Sequence, residues 1–142
     1  MTVTALLDQT VLDGTEVYLD AGLPGFPGAH RFRISRWGDT SGPFALLECL
    51  DADGLAFVIV RPEPFFADYM PEIDRSTADR LGLVRAEDAL VFVIVTLGQT
   101  PLDATVNLLG PLIVNRRNRL AAQVVLEGEG SRVRTPLVPR SA

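Results

Sequence analysis

Residues 55–69 read LAFVIVRPEPFFADY, and residues 104–115 read ATVNLLGPLIVN. Each stretch joins a run of apolar, strand-forming residues to prolines and polar residues that interrupt a strand. Residues 55–60 and 90–97 are apolar at consecutive positions, which is typical of strands covered on both faces in a sheet or barrel wall. The sequence therefore predicts a β-fold in which residues 55–60 and 90–97 are the most buried strands.

Outside these stretches the apolar residues mostly recur with a period of two, which indicates strands. Further strands are predicted at 16–20, 31–35, 44–50, 105–109, 112–115 and 120–127. Within 44–50 the alternation places Phe44, Leu46 and Leu50 on one face. Many short strands separated by turn signals are typical of a barrel or sandwich. We expect an all-β fold, a small antiparallel β-barrel-like domain with one short helix.

Glycines and polar residues mark the turns and the helix. Residues 51–54 (DADG) predict a hairpin turn in which Gly54 takes a positive φ. Residues 22–26 (GLPGF) predict a second turn, anchored in the core by Phe26. The helix is predicted at 76–81, capped by Ser76 and ended by Gly82.

Length and composition predict one globular domain. The chain has 142 residues, of which 47% are hydrophobic, and its mean hydropathy is +0.22. We expect a single domain over residues 1–142, with loose ends at 1–4 and 138–142. The N-terminus lacks the pattern of a secretory signal, and the longest apolar run, 89–96, is shorter than the ~20 residues of a membrane span. These features predict a cytoplasmic protein that does not enter a membrane.

The charge and the reactive residues argue against nucleic-acid binding and against catalysis. A net charge of -5 disfavours binding to the phosphate backbone of nucleic acids and favours association with a basic protein partner. Cys49 is the single cysteine and His30 the single histidine, so no cluster has the spacing of metal ligands. No nucleophile with its base and no phosphate-binding loop is apparent. The sequence predicts no enzyme activity, no metal and no cofactor.

Residues 62–69 (PEPFFADY) form the strongest candidate binding surface. Two prolines stiffen the segment, and aromatic side chains held on a rigid loop lose little entropy when a partner docks. The candidate contacts are Phe65, Phe66, Asp68 and Tyr69. The alternative for Phe65 and Phe66 is that they close the end of the hydrophobic core.

Two asparagines in predicted strands need an explanation, because asparagine is disfavoured there. Asn107 and Asn115 are candidate partner contacts, but each amide could instead satisfy buried backbone groups near the bend at Gly110 and Pro111. Gln123 is either an outward-facing contact or the polar side of a strand.

Three motifs in this order resemble the flagellar assembly factor FliW family. They are GLPGF at 22–26, FFADY at 65–69 and TVNLLGPLIVN at 105–115, which is similar to the family pattern TxNLxxPxxxN. The resemblance extends over residues 11–137 and adds Leu108 and Pro111 to the candidate contacts. The chain departs from the family at Ala67, where proline is common.

The resemblance implies a compact barrel-like fold and a partner-switching role. Proteins of this family are bacterial and cytoplasmic, and they bind the C-terminal helical region of flagellin and the translational regulator CsrA. When flagellin is exported, the freed protein would bind CsrA and relieve its block on flagellin translation. The alternatives are a general chaperone-like protein and a small-molecule-binding β-barrel protein without a CsrA partner.

Overall fold

A computed structural model describes residues 14–36, 43–100 and 103–137 of the chain. The predicted loose ends, 1–4 and 138–142, lie outside these ranges. The strands are β1 Thr15–Leu19, β2 Arg31–Arg36, β3 Phe44–Cys49, β4 Ala56–Val60, β5 Ala89–Thr96, β6 Thr105–Val106, β7 Leu112–Asn115, β8 Leu120–Gln123 and β9 Thr135–Pro136. The α-helix is α1 Arg75–Leu81, and short 3-10 helices span Ala86–Asp88 and Gly130–Arg134.

Seven of these strands close into a barrel. Their order is β4-β3-β2-β1-β8-β7-β5, and β5 pairs with β4 to complete the ring. Strand β6 pairs with the last two residues of β5, and β9 pairs with β6, which extends the sheet beyond the ring. The predicted barrel with one short helix is thus confirmed, but β1 and β8 run parallel. Directions cannot alternate around a ring with an odd number of strands, so a seven-stranded barrel needs a parallel pair.

Side chains from alternate positions fill the barrel interior. The buried interior residues on the strands are Val17, Leu19, Phe32, Ile34, Ala45, Leu47, Ile59, Leu90, Phe92, Leu112, Val114 and Ala121. The alternation predicted for β3 is present, and it places Ala45 and Leu47 in the barrel interior and Phe44 outside it. The Phe44 ring meets the Phe65 ring edge-on, with 6.1 Å between centroids. Phe44 and Leu46 share the outer face, where Phe44 packs beneath the 62–69 segment.

The outer face of the barrel is covered beside β5. At its start, Ala89 and Val91 pack with Ile113 beneath α1. At its end, Val93 and Val95 pack beneath the 62–69 segment. Two different covers explain why β5 is apolar on both faces and confirm that it is a central strand.

The other prediction of burial was only partly right. Strand β4 is fully buried only at Ile59 and Val60, whereas Ala56 is exposed. Strand β7 is buried at all four positions, although the sequence did not single it out. The difference arises because β7 lies between β5 and β8 under the cover provided by α1.

Helix α1 begins earlier than predicted and ends as predicted. Asp74, not Ser76, is the N-cap, since its carboxylate accepts a 2.8 Å hydrogen bond from the Thr77 backbone N–H. Gly82 ends the helix with φ 67°. Ala78 and Leu81 are its buried residues. In the described ranges no helix is long and apolar enough to cross a membrane.

Candidate functional site

An apolar groove lies where β4 and β5 reach one end of the barrel. Its volume is about 400 Å³, and Phe57 and Ile94, half-buried residues packed on the barrel core, form part of its floor. Segments distant in sequence complete it: Leu23, Pro24, Asn107, Leu109, Gly110, Gln123, Val125, Leu126 and Val133. Val125 is 81% exposed and Val133 is 43% exposed. Exposed valines around a concave apolar floor are typical of a surface that binds another molecule.

The turn at 22–26 forms one wall of the groove. Leu23 and Phe26 exchange backbone hydrogen bonds of 3.3 and 2.8 Å. Gly22 has φ +68°, and a Cβ there would lie 2.7 Å from the Phe26 carbonyl oxygen, so the turn requires glycine. The prediction that Phe26 anchors the turn was wrong: Leu23 is buried, whereas Phe26 is 42% exposed. The Phe26 ring meets Phe57 edge-on at 5.9 Å, which places Phe26 beside the groove.

The 107–111 segment forms the opposite wall. The Asn107 side-chain oxygen accepts a 3.0 Å hydrogen bond from the Leu109 N–H, and the Gln123 amide donates one of 3.0 Å to the Gly110 carbonyl. A Cβ at Gly110 would lie 2.7 Å from both amide nitrogens. Pro111 is buried, and its carbonyl accepts a 2.9 Å hydrogen bond from the Val124 N–H. The structure therefore brings together Asn107 and Gln123 as groove residues whose amides also hold the bend.

Asn115 is elsewhere in the fold. Its side chain is 2% exposed and donates a 2.8 Å hydrogen bond to the Leu81 carbonyl at the end of α1. Its side-chain oxygen accepts from the Arg117 N–H at 2.9 Å. Asn118 donates a second hydrogen bond to Leu81, at 2.9 Å. The amide thus satisfies backbone groups, as one alternative for this residue predicted, but these groups lie at the end of α1 and in the following turn and not at the bend of Gly110 and Pro111.

The 62–69 segment is fastened to the barrel wall. Phe65 and Phe66 are half-buried over the cluster that includes Val60 and Val93. The Tyr69 hydroxyl donates a 2.5 Å hydrogen bond to the carbonyl of buried Leu108. Burial raises the pKa of Tyr69 well above its usual range, and the positive charge of Arg132 opposes that shift. Within the segment Glu63, Pro64, Ala67 and Asp68 are exposed.

A second concavity, which we call the acidic cleft, adjoins the groove. It has a volume of about 550 Å³ and is lined by Asp68, Tyr69, Met70, Pro71, Glu72, Asp74, Val125, Leu126, Glu127 and Arg132. Val125 and Leu126 line both concavities. Sequence reasoning missed Val125, Val133 and Glu127. The available signal was the apolar run at 124–126, because a strand with one covered face should not be apolar at three consecutive positions.

Comparison with known proteins identifies the family. A model of the FliW protein family matches residues 3–137. The chain belongs to the FliW family. The flagellar assembly factor FliW of Bacillus licheniformis is 37% identical over 130 residues, which cover 92% of this chain and 86% of the relative. The flagellar assembly factor FliW of Treponema pallidum is 36% identical over 134 residues, which cover 94% of this chain and 88% of the relative.

A solved structure supports the FliW fold. A crystal structure of the flagellar assembly factor FliW matches with a TM-score of 0.81, 24% identity and complete coverage of both chains. At this identity the match concerns the fold, and it confirms the barrel described above.

His30 and Cys49, the potentially reactive side chains of this FliW-family chain, pack against other parts of the fold. His30 Nδ1 lies 2.8 Å from the Leu19 carbonyl oxygen, and its ring stacks on Tyr18 with centroids 5.8 Å apart. Cys49 is half-buried against the barrel core. Among the residues that the structure describes, no group of three His, Cys, Asp or Glu side chains could hold a metal ion.

Proposed function

We propose that this FliW-family protein is a cytoplasmic flagellar assembly factor that binds the C-terminal helical region of flagellin in the apolar groove. The single observation that carries this is the groove of about 400 Å³ flanked by exposed Val125 and Val133. An amphipathic helix buries its apolar face in such a groove through residues spaced three or four apart. The barrel interior is filled by side chains, which argues against a small molecule bound inside it.

The second part of the proposal is a switch between partners. When flagellin leaves the cell, the free protein binds CsrA and relieves its block on flagellin translation. A net charge of -5 favours association with a basic protein. If flagellin and CsrA weaken each other's binding, the coupling is reciprocal, and each partner lowers the affinity for the other by the same factor.

The groove is tested by a change of one exposed valine. Val125→Asp places a charge on the groove surface and removes an apolar contact, so it should weaken binding of a flagellin C-terminal peptide by about 2 kcal/mol or more, about thirtyfold in Kd. Val84→Asp is the matched control, because Val84 is 85% exposed, Val125 is 81% exposed and Val84 does not line the groove. Isothermal titration calorimetry measures both. Equal affinity of wild type and Val125→Asp would remove the groove from the proposal.

The switch is tested by adding the partners in sequence. The protein is saturated with the flagellin peptide, and CsrA is then titrated into it. The proposal expects the affinity for CsrA to fall, and the affinity for the peptide to fall equally in the reverse experiment. If CsrA binds the saturated and the free protein with the same Kd, the two partners are not exchanged by competition or coupling.

A further inference from the structure

The acidic cleft carries a local excess of negative charge. Its exposed carboxylates come from three parts of the chain: Asp68 near the end of the 62–69 segment, Glu72 and Asp74 before α1, and Glu127 after β8. Among the residues that line the cleft, Arg132 is the basic one. Hydrogen bonds from Thr77 hold the pKa of Asp74 below its usual value, so this carboxylate is already engaged as the helix cap. Asp68 and Glu127 come from parts of the chain that are far apart in sequence.

The cleft and the groove are continuous. Val125 and Leu126 line both, and Val125 is 81% exposed at the junction. Met70 is 55% exposed within the cleft, so the apolar surface extends among the acids. A ligand that covers Val125 therefore reaches the carboxylates without leaving the surface.

We propose that the groove and the acidic cleft are one docking surface, and that its occupant is an amphipathic helix carrying an arginine or lysine next to its apolar residues. This rests on the proposed function and states the chemistry that the flagellin segment must present. The apolar part supplies most of the affinity, since exposed ion pairs contribute little each. The acidic part sets the direction of the helix, because the opposite direction would leave the basic residue over the apolar groove and the cleft unpaired.

The test removes Asp68 and Glu127, two of the three cleft carboxylates that do not cap α1. The variant is Asp68→Asn with Glu127→Gln. Its matched control is Asp53→Asn with Asp79→Asn, which removes the same charge from two exposed residues that line neither concavity. The probes are the flagellin C-terminal peptide and versions of it in which each arginine or lysine is changed to glutamine. Kd is measured by calorimetry at low and high salt.

We expect the cleft variant to bind the unmodified peptide roughly five- to tenfold more weakly at low salt, as for two exposed ion pairs. Its affinity should also depend less on salt than that of the wild type. One glutamine peptide should bind wild type and cleft variant equally, while the control protein behaves as wild type. These results together would establish that a basic residue of the peptide lies in the cleft.

Two other outcomes overturn the inference, and they can be told apart. If the cleft variant binds like wild type while Val125→Asp still weakens binding, the cleft is not part of the surface and the proposed function stands. If the wild-type protein does not bind the flagellin peptide at all, both the proposed function and this inference are wrong.

Discussion

Asn115→Ala should destabilise the protein and leave its affinity for flagellin unchanged. The side chain is 2% exposed, so a partner cannot contact it in the folded protein. Its amide makes two hydrogen bonds, to the Leu81 carbonyl and from the Arg117 N–H. Each such bond contributes about 1 kcal/mol to stability, and a buried group left without a partner costs more. Leu81 keeps its bond from Asn118, and Arg117 lies on an exposed turn that water reaches. We therefore expect the free energy of unfolding to fall by about 2 kcal/mol.

The assay is urea denaturation followed by circular dichroism. Asn118→Ala is the matched control, since Asn118 also donates to Leu81 and accepts from one backbone N–H, that of Leu120. Because Asn118 is exposed and water can replace its bonds, the change should cost about 1 kcal/mol or less. The two substitutions share an acceptor, so the double variant should cost more than the sum of the singles. A loss of stability below roughly 0.5 kcal/mol for Asn115→Ala, accompanied by weaker flagellin binding, would refute the reasoning and make Asn115 a residue of the binding site.

Two further predictions concern a core residue of the barrel and the hydrogen bond that attaches the 62–69 segment to it. Phe92→Ala should lower the free energy of unfolding by about 3–5 kcal/mol, because Phe92 is 1% exposed inside the barrel; a loss below roughly 1 kcal/mol in urea denaturation would place it outside the core. Tyr69→Phe removes the hydrogen bond to Leu108 and should cost about 1 kcal/mol at neutral pH. Because the pKa of Tyr69 is raised in the folded protein, its contribution is complete below the ordinary pKa of about 10 and is lost as the pH rises above it. Alkaline unfolding curves of wild type and Tyr69→Phe should therefore converge above that pH, and a constant difference would contradict the assignment.

Local signals in the sequence located most of the elements, although the strands predicted at 105–109 and 120–127 end at Val106 and Gln123 and β9 was not predicted. Period-two runs located the barrel strands, and the consecutive apolar residues of β5 indicated a strand covered on both faces. Gly82 marked the end of α1, and Gly54 has φ 79° in the predicted hairpin. These features depend on backbone sterics and on neighbours within a few residues, which a single sequence contains. The family resemblance came from the same short motifs.

Which face of a strand points inward and which residue caps the helix depended on contacts between residues more distant in sequence. Alternation in β3 was visible, but the Phe44 face became the outer one because the 62–69 segment covers it there. Asp74 and not Ser76 is the N-cap, because the path of the chain before α1 allows the Asp74 carboxylate to reach the Thr77 N–H. Both outcomes were compatible with the sequence pattern, and packing selected between them.

The sequence by itself determined that this is a strand-rich, acidic chain with a short helix and the motifs of the FliW family. Only the tertiary structure decided which motif residues share a surface. Asn107 lines the groove, whereas Asn115 is buried at the end of α1, although both belong to one motif. Val125 and Glu127, outside any motif, join Leu23 and Asp68 around the groove and cleft. The physical reason is that closure of the barrel brings together turns far apart along the chain, and strand pairing over such separations is set by burial across the whole fold.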